Sequence, residues 1–202
     1  MKSIVITLPG FFEGEGEKIN SIIESGVDLV HIRKPGCDSS DFIKLLDSIN
    51  PEYLAGHIVL QDCVYLAEEY EVYGVHLTRR GPICPTYHRG NISLSCHTLD
   101  EVRKYKAKRR VGYMFLSPIF DSISKTGYHS AFTPDTLAQA SAEGTIDGRV
   151  VALGGISIGR IAQIREYGFG GAALLGDVWK RKDDADFDDY LHRLVSEFST
   201  CE

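Results

Sequence analysis

The sequence predicts an α/β chain folded as a single (β/α)8 TIM barrel, and three observations lead there. Short apolar, β-branched runs alternate with stretches of helical period from one end of the chain to the other. A loose unit recurs, made of a helix, a short bend usually carrying glycine, and an apolar strand. It shows in IIESGVDLVHI, LAEEYEVYGVHL, VRKYKAKRRVGYMFL and IREYGFGGAALL. Such alternation means parallel strands joined by helical crossovers. Eight strands within 202 residues suit one small closed barrel over residues 1–202, able to bury roughly 70% of its unfolded surface. An open doubly wound sheet is the rival. Against it, the first strand-to-helix turn, LPGFFEGEGEK, is no dinucleotide fingerprint and no acidic ribose ligand follows.

Taken in order, residues 3–8 (SIVITL) make strand one, ended by Pro9-Gly10, and residues 18–24 a helix with Ile19, Ile22 and Ile23 on one face. Strand two is 27–33 (VDLVHIR). The helix over 38–49 turns Phe42, Leu45 and Leu46 inward, and Pro51 stops it. Residues 57–62 (HIVLQD) form strand three, followed by a helix to Tyr70, and 74–77 (GVHL) form strand four. The Gly- and Pro-rich TRRGPICPTYHRG leaves that unit without a proper helix. Strand five (91–95) precedes a helix over 99–107, and strand six (113–117) precedes a long loop and a helix over 134–142. Strand seven (150–153) ends in Gly154-Gly155, with Ser157 placed as N-cap of the next helix. Strand eight (172–175) ends in Gly176, and residues 187–198 make the closing helix.

Composition narrows the function. No apolar run approaches the ~20 residues of a membrane span, and MKSIVITLPG reads as a strand rather than a signal peptide, so a cytoplasmic, non-membrane protein is expected. Five scattered cysteines without Cys-x-x-Cys argue against a disulfide framework or a zinc site. A net charge of −6 argues against nucleic acid. An anionic ligand must therefore be held by a few local groups.

Those groups are sought past the carboxyl ends of strands, where barrel enzymes place their chemistry. His31, Arg33 and Lys34 end strand two; Gln61 and Asp62 end strand three; His76, Arg79 and Arg80 follow strand four; Ser95 and His97 follow strand five. Ser122, Ser124 and Lys125 lie in the loop after strand six. Basic groups dominate, which suits a polyanionic small molecule. Gly154-Gly155 and Leu175-Gly176 close the last two strands, where glycine lets a ligand touch backbone and a helix start favours an anion. A phosphate cup is expected there, with Gly155→Val weakening phosphate binding more than folding.

These stretches resemble the thiamine phosphate synthase family and its thiazole tautomerase branch over nearly the whole chain. The most specific are SPIFDSISKTG (117–127), VVALGGI (150–156) and SCHTLDEV (95–102). The resemblance implies a transferase that joins an aminopyrimidine methyl diphosphate to a thiazole phosphate and releases pyrophosphate, in thiamine biosynthesis or salvage. Carried across, it implies that Arg33 and Lys125 meet the diphosphate, with Gln61 standing for a family asparagine. By the same resemblance Ser95 would lie near the pyrimidine, Ser122 and Ser124 at the thiazole, and Gly155, Leu175 and Gly176 at its phosphate. Asp62 is implied as a ligand of a weak or substrate-assisted Mg2+. The family's second aspartate falls on Gly81, and its strand-two lysine on Pro35; Arg79 and Arg80 are expected to replace the lost charge. The tautomerase branch and a non-catalytic thiazole or thiamine phosphate-binding regulator are the alternatives. The tautomerase histidine, however, falls on Pro118, and an isomerase has no pyrophosphate for Arg33, Asp62 and Lys125 to hold. Partners are expected to be small molecules, and a homo-oligomer is allowed.

Overall fold

Eight parallel strands close in sequence order: β1 (Lys2–Ile6), β2 (Leu29–Ile32), β3 (Ile58–Leu60), β4 (Gly74–Leu77), β5 (Asn91–Cys96), β6 (Val111–Leu116), β7 (Val150–Leu153) and β8 (Gly171–Leu174). Pairing of β1 with β8, Ile4 opposite Ala173, completes the ring. The computed structural model describes residues 1–78, 84, 88–108, 110–121 and 132–199. The expected (β/α)8 barrel is what forms, and no described helix is long and apolar enough to cross a membrane.

The two-residue period of a strand sorts each run into two layers. Val5, Val30, Ile32, Ile58, Leu60, Met114, Leu116, Val150 and Leu174 face outward and pack with the helices. Ile4, Ile6, Leu29, Val59, Tyr113, Phe115, Val151 and Ala173 fill the barrel interior. Both faces of every strand are thus buried, which is why the strands read as apolar runs.

The outer layer is α1 (Glu15–Glu24), α2 (Ser39–Asp47), α3 (Pro51–His57), α4 (Leu99–Lys106), α5 (Pro134–Ala142), α6 (Ile161–Glu166), α7 (Gly176–Trp179) and α8 (Phe187–Ser199). Thr98 caps α4 through the Glu101 N–H, and Thr133 caps α5 through the Thr136 N–H. Three expectations are corrected. Pro51 does not merely end a helix: it opens α3 at the position where its missing N–H costs nothing, with Asn50 accepting from the Glu52 N–H. After β3 there is only a 3-10 turn, Val64–Ala67, in place of a helix to Tyr70. Ser157 stands at an N-cap with extended backbone, yet its side chain makes no capping bond; a 3-10 turn, Ile158–Arg160, precedes α6.

Candidate active site at the barrel mouth

Strand alternation decides which polar residues reach the mouth. Arg33 continues the inward series Leu29, His31 and is half-buried. Thr7 fixes its backbone, taking the Arg33 N–H at 2.9 Å and donating to its carbonyl at 3.3 Å. The guanidinium itself has no partner among the described residues. Gln61 continues β3, its N–H bonded to the Ile32 carbonyl at 3.0 Å. Asp62 follows, and its Oδ2 accepts the Lys34 N–H at 2.7 Å. Ser95 stands half-buried near the end of β5.

Lys34, expected at the mouth, belongs to the outward series. Its ammonium is fully buried and bonds Glu15 Oε1 and Oε2 at 2.6 and 2.7 Å, the Leu8 carbonyl at 2.9 Å and the Gly10 carbonyl at 2.8 Å. Burial pushes the Glu15 pKa up and the Lys34 pKa down, and their mutual attraction opposes both shifts. With all three donors used, Lys34 stitches the loop after β1 to β2 and is corrected to a structural residue.

His31 is corrected likewise. It lies fully buried below the mouth, Nδ1 2.9 Å from Gln61 Nε2 and Nε2 2.6 Å from Tyr113 Oη. Neither ring nitrogen is left for a substrate. His76 mirrors it, Nδ1 2.9 Å from Ser93 Oγ and Nε2 2.8 Å from Ser95 Oγ. The two rings meet edge-on at 5.3 Å, and Phe115 packs at 4.9 Å from one and 4.7 Å from the other. The sequence reading missed Tyr113 and Ser93 altogether, because their role depends on partners far along the chain. The signal available was a tyrosine and a serine on the inward period of apolar strands.

Burial lowers His76 from 6.5 to about 3, and burial together with His76 holds His31 well below 6.5. An unfolded histidine takes up a proton below about pH 6.5, whereas these rings stay neutral. Their stabilisation is therefore complete above pH 6.5 and is lost as pH falls toward the folded values. The slope is about 1.4 kcal/mol per pH unit for each ring. Urea midpoints at pH 7.5, 6 and 5 should fall steadily, and His31→Gln should roughly halve the slope. A flat midpoint over that range would contradict the neutral core.

The glycine loops after β7 and β8 are joined by Asp177. Its Oδ2 takes the Ile158 N–H at 3.0 Å and the Tyr190 hydroxyl at 3.0 Å, and its Oδ1 pairs with Lys180 at 2.6 Å. Burial alone would raise this carboxyl, but these partners hold its pKa below the ordinary value. Trp179 Nε1 donates to the Ile6 carbonyl at 2.7 Å, locking α7 to β1. Gly154 and Gly155 are half-buried at φ +97° and +65°. A Cβ on Gly155 would lie 2.4 Å from the Asp121 carbonyl oxygen, and one on Gly154 2.9 Å from Pro118 Cα. These glycines thus seat the β7 loop against the loop after β6. The expectation for Gly155→Val is corrected accordingly: thermal melts should show a loss of about 3 kcal/mol or more, before any effect on a ligand is read. Leu175 packs on the interior cluster and Gly176 begins α7.

Arg79, Arg80, Gly81, Ser122, Ser124 and Lys125 lie outside the described residues. Among the described residues no group of three metal-binding side chains forms, at Asp62 or elsewhere.

A closed parallel barrel with a guanidinium that has no partner among the described residues, a carboxylate, an amide and a hydroxyl at the carboxyl ends of adjacent and near-adjacent strands defines a (β/α)8-barrel enzyme. A family model described as thiamine monophosphate synthase matches residues 5–178. The chain is 34% identical to thiamine phosphate pyrophosphorylase from Bacteroides thetaiotaomicron and matches its crystal structure with a TM-score of 0.85 over 98% of each chain. Thiamine-phosphate synthase of Latilactobacillus sakei subsp. sakei (strain 23K) is 28% identical over 178 residues, 82% of this chain and 78% of that relative. The Pyrococcus furiosus thiamine phosphate pyrophosphorylase structure, at 20% identity and a TM-score of 0.75 over 97% of this chain and 94% of its own, shares the fold. The chain belongs to the thiamine monophosphate synthase family.

Proposed function

We propose that this protein makes thiamine phosphate, joining an aminopyrimidine methyl diphosphate to a thiazole phosphate with loss of pyrophosphate. The observation that carries the reading is Arg33, a half-buried cation on an inward strand position with no described protein partner. A guanidinium fork with no described partner at a barrel mouth suits phosphate oxygens in two-point contact.

In the proposed step the bond between the pyrimidine methyl carbon and the diphosphate oxygen breaks, and its electron pair leaves with pyrophosphate. The thiazole ring nitrogen then attacks the methyl carbon. Negative charge grows on the leaving group, so the mouth must supply cations and positioning rather than a proton shuttle. Arg33 answers that need, and family resemblance gives Lys125 the same duty. The two described histidines beneath the mouth are neutral and fully bonded, which agrees with chemistry that asks for no general base. The Asp177-braced loops after β7 and β8 are the proposed seat of the thiazole phosphate, at Gly155, Leu175 and Gly176.

Asp62 fits magnesium in one way only. One carboxylate oxygen is engaged by the Lys34 N–H, which leaves the other for an ion completed by water and diphosphate oxygens. The ion would supply charge neutralisation to the leaving group. Calorimetry tests the reading: inorganic pyrophosphate should bind the protein, more tightly with magnesium, and magnesium alone should show no measurable site. Absence of pyrophosphate binding in either condition would remove the basis for a synthase. Tight magnesium binding by the free protein would require a second carboxylate ligand.

A further inference from the structure

The turn after β7 is held through its carbonyls. Leu153 O accepts the Ile119 N–H at 2.9 Å and Gly154 O accepts the Phe120 N–H at 3.1 Å, both from the segment after β6. The next carbonyl, Gly155 O, is taken by Arg160 Nη1 at 2.9 Å. The same guanidinium lies over the Phe120 ring, 4.4 Å from its centroid. Arg160 and Phe120 are both half-buried. The first two carbonyls are thus fixed by main chain, and the third depends on one side chain.

Regular parallel strands point successive carbonyls to opposite sides. Here the positive φ of Gly154 and Gly155, +97° and +65°, lets the carbonyls of Leu153, Gly154 and Gly155 all meet donors on the β6 side. The peptides that follow Gly154 and Gly155 are trans, so each N–H points opposite to its carbonyl. The N–H groups of Gly155 and Ile156 therefore face away from Phe120 and Arg160. Because β7 stands between β6 and β8, that direction leads toward the turn at Leu175 and Gly176. Neither N–H has a partner among the described residues. Successive main-chain N–H groups turned to one side make a concavity that binds anions.

We propose that Arg160 is a positioning residue for the phosphate seat: its bond to the Gly155 carbonyl keeps the Ile156 N–H turned toward the bound phosphate. The seat itself rests on the synthase reading; the role of Arg160 within it rests on the bond to Gly155 and the stacking on Phe120. The guanidinium works from the far side of the Gly155–Ile156 peptide and does not touch the anion. Released from it, this peptide follows a glycine and meets little steric resistance to rotation. A flip would set a carbonyl oxygen against the phosphate in place of a donor. The Gly154–Gly155 peptide has no such freedom, since the Phe120 N–H still holds it.

Nitrogen-15 NMR of the Gly155 and Ile156 amides, with calorimetry, tests this by titrating inorganic phosphate and the thiazole phosphate into the protein and its Arg160→Met and Arg160→Lys variants. Methionine keeps the stem without a donor, and lysine restores a donor. In the unsubstituted protein both amides should shift on phosphate addition. In Arg160→Met the Gly155 amide should still shift, the Ile156 amide should lose its response, and both ligands should bind about tenfold more weakly. The KM for the thiazole phosphate should rise by a similar factor, with the KM for the diphosphate substrate within about twofold. Arg160→Lys should recover most of the affinity. The ratio between parent and Arg160→Met should be the same at about 0.05 M and about 0.5 M salt, since orientation is not screened. A ratio that shrinks with salt makes Arg160 a distant charge and overturns the proposal. So does an Arg160→Met protein in which both amides respond and affinity is unchanged, although the seat would then stand. No phosphate response at either amide in the unsubstituted protein overturns the seat and the role of Arg160 together, while the pyrophosphate titration judges the synthase reading separately.

Discussion

Lys34→Ala is expected to destabilise the protein by about 3–5 kcal/mol, the cost of leaving a buried partner charge uncompensated. The alanine strands Glu15, whose carboxylate is buried against the ammonium, and frees two carbonyls of the loop after β1. Urea unfolding at pH 7 measures the loss. Replacing both partners, as Glu15→Leu with Lys34→Met, should recover much of it, because an apolar pair needs no desolvation. In any folded Lys34 variant the KM for the diphosphate substrate should change far less than in an Arg33 variant. A Lys34→Ala protein as stable as its parent, with weakened diphosphate binding, would return Lys34 to the mouth.

Arg33→Ala is expected to show the opposite pattern. Loss of one preorganised donor to developing charge lowers turnover by about 10²–10³, or about 2.7–4 kcal/mol. Stability should hardly move, since the guanidinium binds no described side chain. Arg33→Lys should restore only part of the rate, because an ammonium is a point charge without the two-point fork. Steady-state kinetics together with a melting curve tells these neighbours apart, the expected losses being turnover at Arg33 and stability at Lys34. Near-normal turnover in Arg33→Ala would place the diphosphate elsewhere.

The contrast between Arg33 and Lys34 shows what the sequence made legible. All eight strands were visible as apolar runs because burial on both faces leaves no polar alternation to blur them. The strand Val150–Leu153 and the helix Pro134–Ala142 appear with the expected bounds. The missed helix, α3, buries no residue, so it has no apolar stripe to read, and its opening proline looks the same as a stop. At the site, adjacency of charges suggested that Arg33 and Lys34 act together, whereas the two-residue period sends one inward and the other outward. Depth along the barrel was hidden for another reason. Register sets it, with His31 opposite Ile6 and Val59, and register is a property of pairing rather than of any one strand. That is why His31 read as a substrate ligand, whereas the structure buries it below the mouth with both ring nitrogens bonded. Tyr113, 82 residues away from its histidine partner, has no local signature at all.

The most direct test of the account supplies the purified protein with the aminopyrimidine methyl diphosphate, the thiazole phosphate and magnesium, and follows products by mass spectrometry. The account predicts thiamine phosphate and pyrophosphate in equal amounts, neither formed when either substrate is withheld. Conversion of a thiazole phosphate alone to an isomer, or no product from protein that binds both substrates, would contradict it.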